Sequence, residues 1–204
     1  MHREILSKEQ SELLLLIQQF KKTFYLVGGT AIALHLGHRR SIDFDLFSDK
    51  ILKKITIKKI IGNTNYKTVK LFEDSDQLHY VVNDVKITFF TFPYNIPHVV
   101  NFENIIQLPS LLDLASMKAF ALARRAKWKD YVDLFFIIKY HYSVKDISRH
   151  ALNIFKHEFN EKLFREQLAF HKDIDYSEQI EYLVQPVDEN EIKSFLIEKA
   201  IDIF

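Results

Sequence analysis

Two aspartates separated by one phenylalanine stand in the segment SIDFDLF, residues 41–47. Residues two apart on a strand point to the same face, so Asp43 and Asp45 would place two carboxylates roughly 7 Å apart on one side of a sheet. Like charges at that distance repel each other unless a cation lies between them. Carboxylate oxygens suit hard divalent cations, which can hold the attacking and leaving oxygens of a nucleotidyl transfer. The pair therefore predicts a Mg²⁺ or Mn²⁺ site.

A glycine pair lies upstream, after the short apolar run FYLV. Without Cβ atoms, Gly28 and Gly29 let the backbone approach phosphate oxygens closely, and the helix predicted to begin there offers free N–H groups. Thr30 adds a hydroxyl to this turn, and His38, Arg39, Arg40 and Ser41 come just before the aspartates. The pattern predicts a polyphosphate that spans from the glycine turn to an aspartate-bound metal ion, and the three basic side chains could hold the triphosphate or an RNA phosphate. The alternatives are a solvated loop for the basic residues and a satisfied strand hydroxyl for Ser41.

The elements that must position these residues change from helix to strand and back. A Ser7 cap followed by leucines at helical spacing predicts a helix over 7–22. The FYLV run is predicted to be a strand that ends at the glycine pair, where a helix begins. Period-two alternation makes SIDFDLF a half-buried strand with Ile42 on the buried face. A basic amphipathic helix is predicted over 50–62; its lysines would be a solvated face or would attract an RNA backbone.

Three further strands and then a series of helices are predicted for the rest of the chain. The strands are YKTVKLF, QLHYVVN and VKITFFTF, with an Asn83–Asp84 turn between the last two. The helices are predicted over 109–127, 129–141, 144–158, 160–170, 176–184 and 188–203. The fold class is therefore α+β: a small mixed sheet with flanking helices in residues 1–105, followed by a helical bundle in residues 106–204.

The bulk composition narrows the class of protein. The chain has 204 residues, 28 Lys+Arg, 27 Asp+Glu and a formal charge of +1, so any attraction for nucleic acid must be local. It has no cysteine, which excludes thiolate metal sites and cysteine nucleophiles. No apolar run is long enough to cross a membrane, and the first residues lack the apolar core of a signal peptide. We therefore expect a cytoplasmic protein with no membrane partner.

The helical half adds charged residues on apolar faces. On a helical wheel, Lys118 and Arg125 share a sector with leucines, where an uncompensated charge would be costly. Asp130 and Asp133 begin an apolar helix and are expected to be partly buried. One interpretation is an ion pair that joins two helices. The other is that Lys118 points at nucleotide phosphates while Asp130 orients it or acts as a base.

Taken together, the motifs resemble those of a known family. Strand, Gly-Gly, helix and then a D-x-D strand, with 13 residues between Gly29 and Asp43, resembles the signature of the polymerase-beta-like nucleotidyltransferases. The ordered blocks YLVGGTAIALHLGHRRSIDFDLF, VKITFFTFPY and LPSLLDLASMKAFALARRAKWKDYVDLFFI are similar to the AbiEii/AbiGii toxin family of type IV toxin-antitoxin systems. The residues that match the motifs of this family are Gly28, Gly29, Ser41, Asp43, Asp45, Lys118 and Asp130.

The resemblance implies a nucleotidyltransferase fold and a metal-dependent enzyme. It would transfer a nucleoside monophosphate from an NTP to RNA, with tRNA as acceptor and pyrophosphate as product, and its toxicity would be controlled by a cognate antitoxin. Asp43, Asp45, Lys118 and Asp130 are the implied catalytic residues. Three alternatives remain: a small-molecule acceptor such as an antibiotic, a degenerate nucleotide-binding protein, or a metal-dependent phosphohydrolase that uses the same aspartates.

One position departs from the superfamily pattern. A third carboxylate is expected on a later strand, and in VKITFF that position is held by Thr88. A hydroxyl cannot replace a carboxylate as a charged metal ligand or as a base. Either another residue, such as Asp74 or Asp84 from the neighbouring loops, supplies that function, or catalysis is weak.

Overall fold

The protein is described by a computed structural model that covers residues 1–122 and 124–202. Its contacts divide the chain into two compact units, Met1–Ser110 and Leu111–Phe204. The first unit combines a sheet with helices, and the second is helical. The contacts place residues 106–108, a strand, in the first unit. The functional assignment of residues 1–105 and 106–204 to two domains stays a prediction.

The first unit contains four helices and seven strands. The helices are α1 (Lys8–Glu12), α2 (Leu14–Gln18), α3 (Gly28–Leu36) and α4 (Lys54–Gly62). The strands are β1 (Tyr25–Val27), β2 (Phe44–Ser48), β3 (Thr68–Glu73), β4 (Gln77–Val82), β5 (Val85–Thr91), β6 (Val100–Phe102) and β7 (Ile106–Leu108). The hairpin of β6 and β7 was absent from the sequence prediction. Strands of three residues are too short to show a clear period of two.

Five strands form a mixed sheet in the order β1-β2-β5-β4-β3. Strand β2 is antiparallel to β1 and parallel to β5, and β4 is antiparallel to both β5 and β3. One face carries the core side chains Phe44, Leu46, Leu78, Ile87 and Phe89, which are almost fully buried. Residues on the other face of β2 and β4 are half-buried. Because side chains alternate between the two faces along a strand, only those on this second face can contact a ligand. The predicted mixed sheet is confirmed.

Local signals for turns and caps explain most element boundaries. Ser7 and Gln10 form the predicted capping box, although the first helix is broken at Leu13 into α1 and α2. Asn83 and Asp84 both have positive φ (50° and 62°), as a tight turn between β4 and β5 requires. Ile42 was predicted to be buried, but its exposed fraction is 63%, because regular strand geometry begins only at Phe44.

The described residues of the second unit form five α-helices. They are α5 (Leu111–Leu122), α6 (Trp128–Tyr140), α7 (Val144–Phe155), α8 (Glu161–Ala169) and α9 (Glu189–Ile201). The helix predicted over 176–184 is wrong. The backbone of Asp175 exchanges hydrogen bonds with the residues around Lys127, donating to Ala126 O (2.7 Å) and accepting from Trp128 N (3.0 Å). This long-range pairing fixes the chain just before the segment, which is irregular, so tertiary contacts override local helical preference.

Within the described residues, no helix combines the length and apolar character needed to cross a bilayer.

Candidate active site

Asp45 lies against the glycine turn. Its position in β2 is paired with Val27, the last residue of β1, and Gly28 follows directly as the first residue of α3. Gly28 has φ of +72°, a conformation that residues with a side chain rarely adopt. A Cβ atom there would also collide with the carboxylate of Asp45. Both the backbone conformation and the close approach therefore require glycine.

Gly29 faces a second polar pair, made by Arg39 and Ser41. A Cβ atom on Gly29 would lie 2.7 Å from the Arg39 guanidinium and 2.9 Å from Ser41 Oγ. Arg39 is almost completely buried, with an exposed fraction of 3%. The start of α3 therefore has a cation and a hydroxyl beside its free backbone N–H groups, which is a favourable arrangement for an anion.

Thr30 fixes the segment that leads into the aspartates. Its buried hydroxyl donates to the carbonyl of Asp43 and lies 3.1 Å from Ser41 Oγ. Arg40 turns elsewhere and donates to the carbonyls of Ile5 (3.3 Å) and Leu6 (3.2 Å). The phosphate-binding roles of Thr30 and Arg40 stay predictions. In this structure, the arginine beside the glycine turn is Arg39, one of the basic residues that the sequence predicted could hold phosphate.

Thr88 occupies the position next to Asp45 on the neighbouring strand. Across β2, β5 and β4, Asp45, Thr88 and His79 are aligned in one row. No third carboxylate therefore extends from this row. Asp74 caps the β3–β4 turn by accepting from Asp76 N (2.9 Å) and Gln77 N (2.8 Å).

His79 is the β4 member of that row and is half-buried. Partial burial lowers the pKa of its imidazole, and the positive charge of Lys86 lowers it further, whereas Asp45 and Asp74 oppose the shift. Its Nε2 lies 3.0 Å from Gln77 Oε1. A neutral imidazole is therefore favoured at this position.

The donor set beside the glycine turn suits a hard divalent cation with few protein ligands. Within the described residues, no three histidine or acidic side chains converge into a preformed metal cage. Mg²⁺ commonly needs only one or two carboxylates, because water and substrate phosphates complete its coordination. Asp43 and Asp45 can supply those carboxylates, and the carboxylate of Asp45 lies directly against the glycine turn. The residues present fit Mg²⁺ or Mn²⁺ bound together with a nucleotide.

The second unit contains a buried group of charges. Lys118 Nζ lies 2.6 Å from Asp130 Oδ1 and 2.8 Å from Asp133 Oδ2, and all three residues are buried. Arg125 was predicted to share the apolar sector of Lys118. However, α5 ends at Leu122 and the side chain of Arg125 is 55% exposed, with Nε 3.3 Å from Asp130 Oδ2. The ion pair expected between α5 and α6 is thus present, and it is centred on Lys118.

The start of α6, which carries Asp130, is held by the irregular segment after α8. Glu178 accepts from Lys127 (2.5 Å) and Lys129, on either side of Trp128. Partial burial favours a raised pKa for Glu178, but the two lysine hydrogen bonds outweigh it and lower the pKa to about 2. The Trp128 ring stacks on Tyr176 at 5.5 Å. This segment therefore fixes the first turn of the helix that carries Asp130.

Comparison with known proteins assigns the family. The sequence model of the family described as "Nucleotidyl transferase AbiEii toxin, Type IV TA system" matches residues 13–200. The chain belongs to this family. It is therefore a nucleotidyltransferase of the AbiEii toxin family, as its glycine and aspartate motifs predict.

Relatives of this AbiEii toxin include a protein of similar length. "Uncharacterized protein aq_aa25" of Aquifex aeolicus (strain VF5) is 33% identical over 153 residues, which cover 71% of this chain and 73% of the relative.

Solved structures share the fold of the AbiEii toxin. MenT4, a nucleotidyltransferase toxin from Mycobacterium tuberculosis H37Rv, has a TM-score of 0.67 and 14% identity, over 94% of this chain and 80% of that chain. JHP933 from Helicobacter pylori has a TM-score of 0.55 and 16% identity, over 96% of this chain and 91% of that one. These likenesses confirm the nucleotidyltransferase fold.

Proposed function

We propose that this AbiEii toxin transfers a nucleoside monophosphate from an NTP to RNA, with tRNA as the acceptor class, in a reaction that requires Mg²⁺ or Mn²⁺. The observation that carries the proposal is the convergence of Gly28, Gly29, Arg39, Ser41 and Asp45 in one cluster. Consecutive elements of the first unit build this cluster, so both the phosphate and the metal half of the site come from one stretch of chain.

The triphosphate binds at the start of α3. The N–H groups of Gly28 and Gly29 approach its oxygens. The buried guanidinium of Arg39 is already held in place beside them and supplies positive charge. Ser41 adds a hydroxyl next to Gly29. The low local dielectric around Arg39 strengthens its attraction for phosphate.

Asp43 and Asp45 hold the divalent cation. When bound, this cation neutralises charge on the phosphates and polarises the α-phosphorus. The acceptor hydroxyl oxygen forms a bond to the α-phosphorus, and the bond from that phosphorus to the bridging oxygen of the β-phosphate breaks. Pyrophosphate leaves, and the hydroxyl proton passes to a base. The chain contributes mainly positioning and charge, so no covalent protein intermediate is needed.

Lys118 and Asp130 are the further catalytic residues that we propose from the AbiEii motif. The proposed role of Lys118 is to bind nucleotide phosphate, and that of Asp130 is to orient Lys118 or to accept the proton. Their contact at 2.6 Å supports this assignment, because a buried carboxylate fixes the ammonium group in one position. Asp133, which also contacts Lys118, has a structural role in this proposal.

A transfer assay tests the proposal. The wild-type protein is incubated with each labelled NTP and total cell RNA, with and without a chelator. Label is expected in tRNA, only with divalent metal, and Asp43→Asn and Asp45→Asn should abolish it. Asp49→Asn is the matched control, because Asp49 is exposed just beyond β2 and should react as wild type. Release of phosphate without acceptor would indicate a phosphohydrolase instead.

The toxin partner and the cellular compartment need a separate test. A type IV system implies an antitoxin, and the proposed site of action is the cytoplasm, where NTPs and tRNA are present. Induction of the gene should arrest growth, and co-expression of the adjacent open reading frame should restore it. If the Asp45→Asn protein still arrests growth, the toxicity does not depend on nucleotidyl transfer.

A further inference from the structure

We propose that the half-buried face of strands β2, β5 and β4 binds an unpaired base of the RNA acceptor, so that the AbiEii toxin reads a single-stranded end. This inference rests on the proposed RNA acceptor. The surface consists of an aromatic platform, Phe47 and Phe90, supported by the buried ring of Phe92 just beyond β5, and a polar edge, Gln77 and His79.

Two parallel rows of residues place this surface beside the catalytic aspartate. One row is Asp45, Thr88 and His79, and the next is Phe47, Phe90 and Gln77. Consecutive residues on one face of a strand are roughly 7 Å apart, so the platform begins one residue pair beyond Asp45. That spacing is comparable to the distance between a ribose hydroxyl and its own base.

The platform has the composition of a base-stacking site. The rings of Phe47 and Phe90 are 5.0 Å apart, and the ring of Phe92 is 5.2 Å from that of Phe47. Phe47 and Phe90 are half-buried, so part of each ring is accessible to a ligand. Stacking on aromatic side chains accepts any base, because every base has a π face.

The polar edge supplies hydrogen-bonding groups beside the rings. Gln77 is aligned with Phe90, and its side chain contacts His79 at 3.0 Å. An amide and a neutral imidazole offer both donors and acceptors to the edge of a stacked base. A purely apolar partner would satisfy none of the hydrogen-bonding capacity that remains after Gln77 and His79 contact each other, so a nucleobase suits the surface better.

The direction of the reaction favours the acceptor over the NTP as occupant. Strand β1 and the glycine turn lie on one side of β2, and β5 and β4 lie on the other. Displacement at phosphorus is in line, so the attacking oxygen approaches opposite to the leaving pyrophosphate. With the polyphosphate at Gly28 and Gly29, the acceptor comes from the side of Thr88 and Phe90.

Filter binding of labelled single-stranded oligo(A) and oligo(C), without NTP, tests the platform independently of catalysis. Phe90→Leu keeps apolar volume but removes the ring, and it should raise the Kd about tenfold. Phe90→Tyr keeps the ring and should bind within about twofold of wild type. Phe170→Leu makes the same change at an exposed aromatic after α8 and should have no effect. Circular dichroism confirms that each variant is folded.

Steady-state kinetics then separate the outcomes. Phe90→Leu should raise KM for RNA about tenfold and leave KM for the NTP within about twofold. A rise in KM for the NTP alone would overturn the inference, as would RNA binding equal to wild type. If the platform variants weaken RNA binding but wild type transfers nothing to RNA, the proposed function fails while the platform stands.

Discussion

Lys118 Nζ lies 2.6 Å from Asp130 Oδ1, with Lys118 7% exposed and Asp130 fully buried. Two helices of the second unit, α5 and α6, are joined by this contact. A buried ion pair is costly to desolvate and is most costly when one partner is removed. The same contact can therefore serve stability, catalysis or both, and substitutions can separate these roles.

Replacing Lys118 by methionine leaves the carboxylates of Asp130 and Asp133 buried without their ammonium partner. We expect the free energy of unfolding to fall by about 3–5 kcal/mol, measured by urea denaturation at neutral pH. The triple variant Lys118→Met/Asp130→Asn/Asp133→Asn removes all three charges and should recover most of that loss. Transfer should be absent from both variants. If the triple variant transfers nucleotide normally, Lys118 and Asp130 are structural only.

Alanine at Gly28 would have to adopt φ of +72° and would collide with Asp45. Unfolding free energy should fall by about 2 kcal/mol, and nucleotidyl transfer should drop at least tenfold. Gly62→Ala is the matched control, because Gly62 ends helix α4 and a Cβ there meets nothing within 4 Å. That change should stabilise the fold by up to about 1 kcal/mol and leave transfer unaltered. Equal effects at the two glycines would contradict a specific role for Gly28.

Aspartate at Thr88 would restore a third carboxylate in the row that contains Asp45. Without metal, repulsion and burial should lower the unfolding free energy by about 1–3 kcal/mol, because Thr88 is only 9% exposed. Mg²⁺ or Mn²⁺ should restore much of that loss, as seen in thermal unfolding with and without the metal. Thr88→Asn has nearly the same shape but no charge, and its stability should not respond to metal. If metal does not change the stability of the Thr88→Asp variant, this would argue against a cation at Asp45.

The imidazole of His79 should titrate below its ordinary pKa of 6.5, because burial and Lys86 disfavour its protonated form. Asp45→Asn removes a charge that raises this pKa, so the midpoint should fall further; Lys86→Gln should raise it. NMR of the histidine ring protons in metal-free buffer measures both shifts, with His79→Gln assigning the resonance. As the pH falls below about 6.5, the unfolded chain binds a proton at His79 before the folded chain does. The free energy of unfolding should therefore decrease as the pH falls through this range. A midpoint unmoved by Asp45→Asn would mean that the two groups do not interact.

The sequence predicted those features whose causes are local. The glycine pair, the Ser7 cap and the Asn83–Asp84 turn each act within a few residues, and the structure confirms all three. The resemblance to the superfamily indicated Thr88 as the residue at the position of the third carboxylate, and the structure pairs Thr88 with Asp45. Family motifs and alternation together were thus sufficient to predict the sheet and the neighbours of Asp45.

The errors occurred where distant parts of the chain decide the conformation. The segment 176–184 has helical character, but it is irregular, and Asp175 just before it is paired with residues at the start of α6. Arg125 was placed on a buried helical face because the end of α5 at Leu122 had no marking glycine or proline. The sequence proposed both Arg39 and Arg40 as phosphate-binding residues, and only Arg39 lies beside Gly29, because Arg40 donates to backbone carbonyls elsewhere. None of these contacts leaves a periodic signal in the sequence.

The stacking of Trp128 on Tyr176 makes the start of α6 optically distinct. The chain has one tryptophan and no cysteine, so the fluorescence excited at wavelengths selective for tryptophan comes from a single indole two residues before Asp130. An Asp49→Cys substitution would add a unique thiol for an acceptor dye in the first unit. Energy transfer from Trp128 to that dye would then report the separation of the two units in solution, with and without nucleotide.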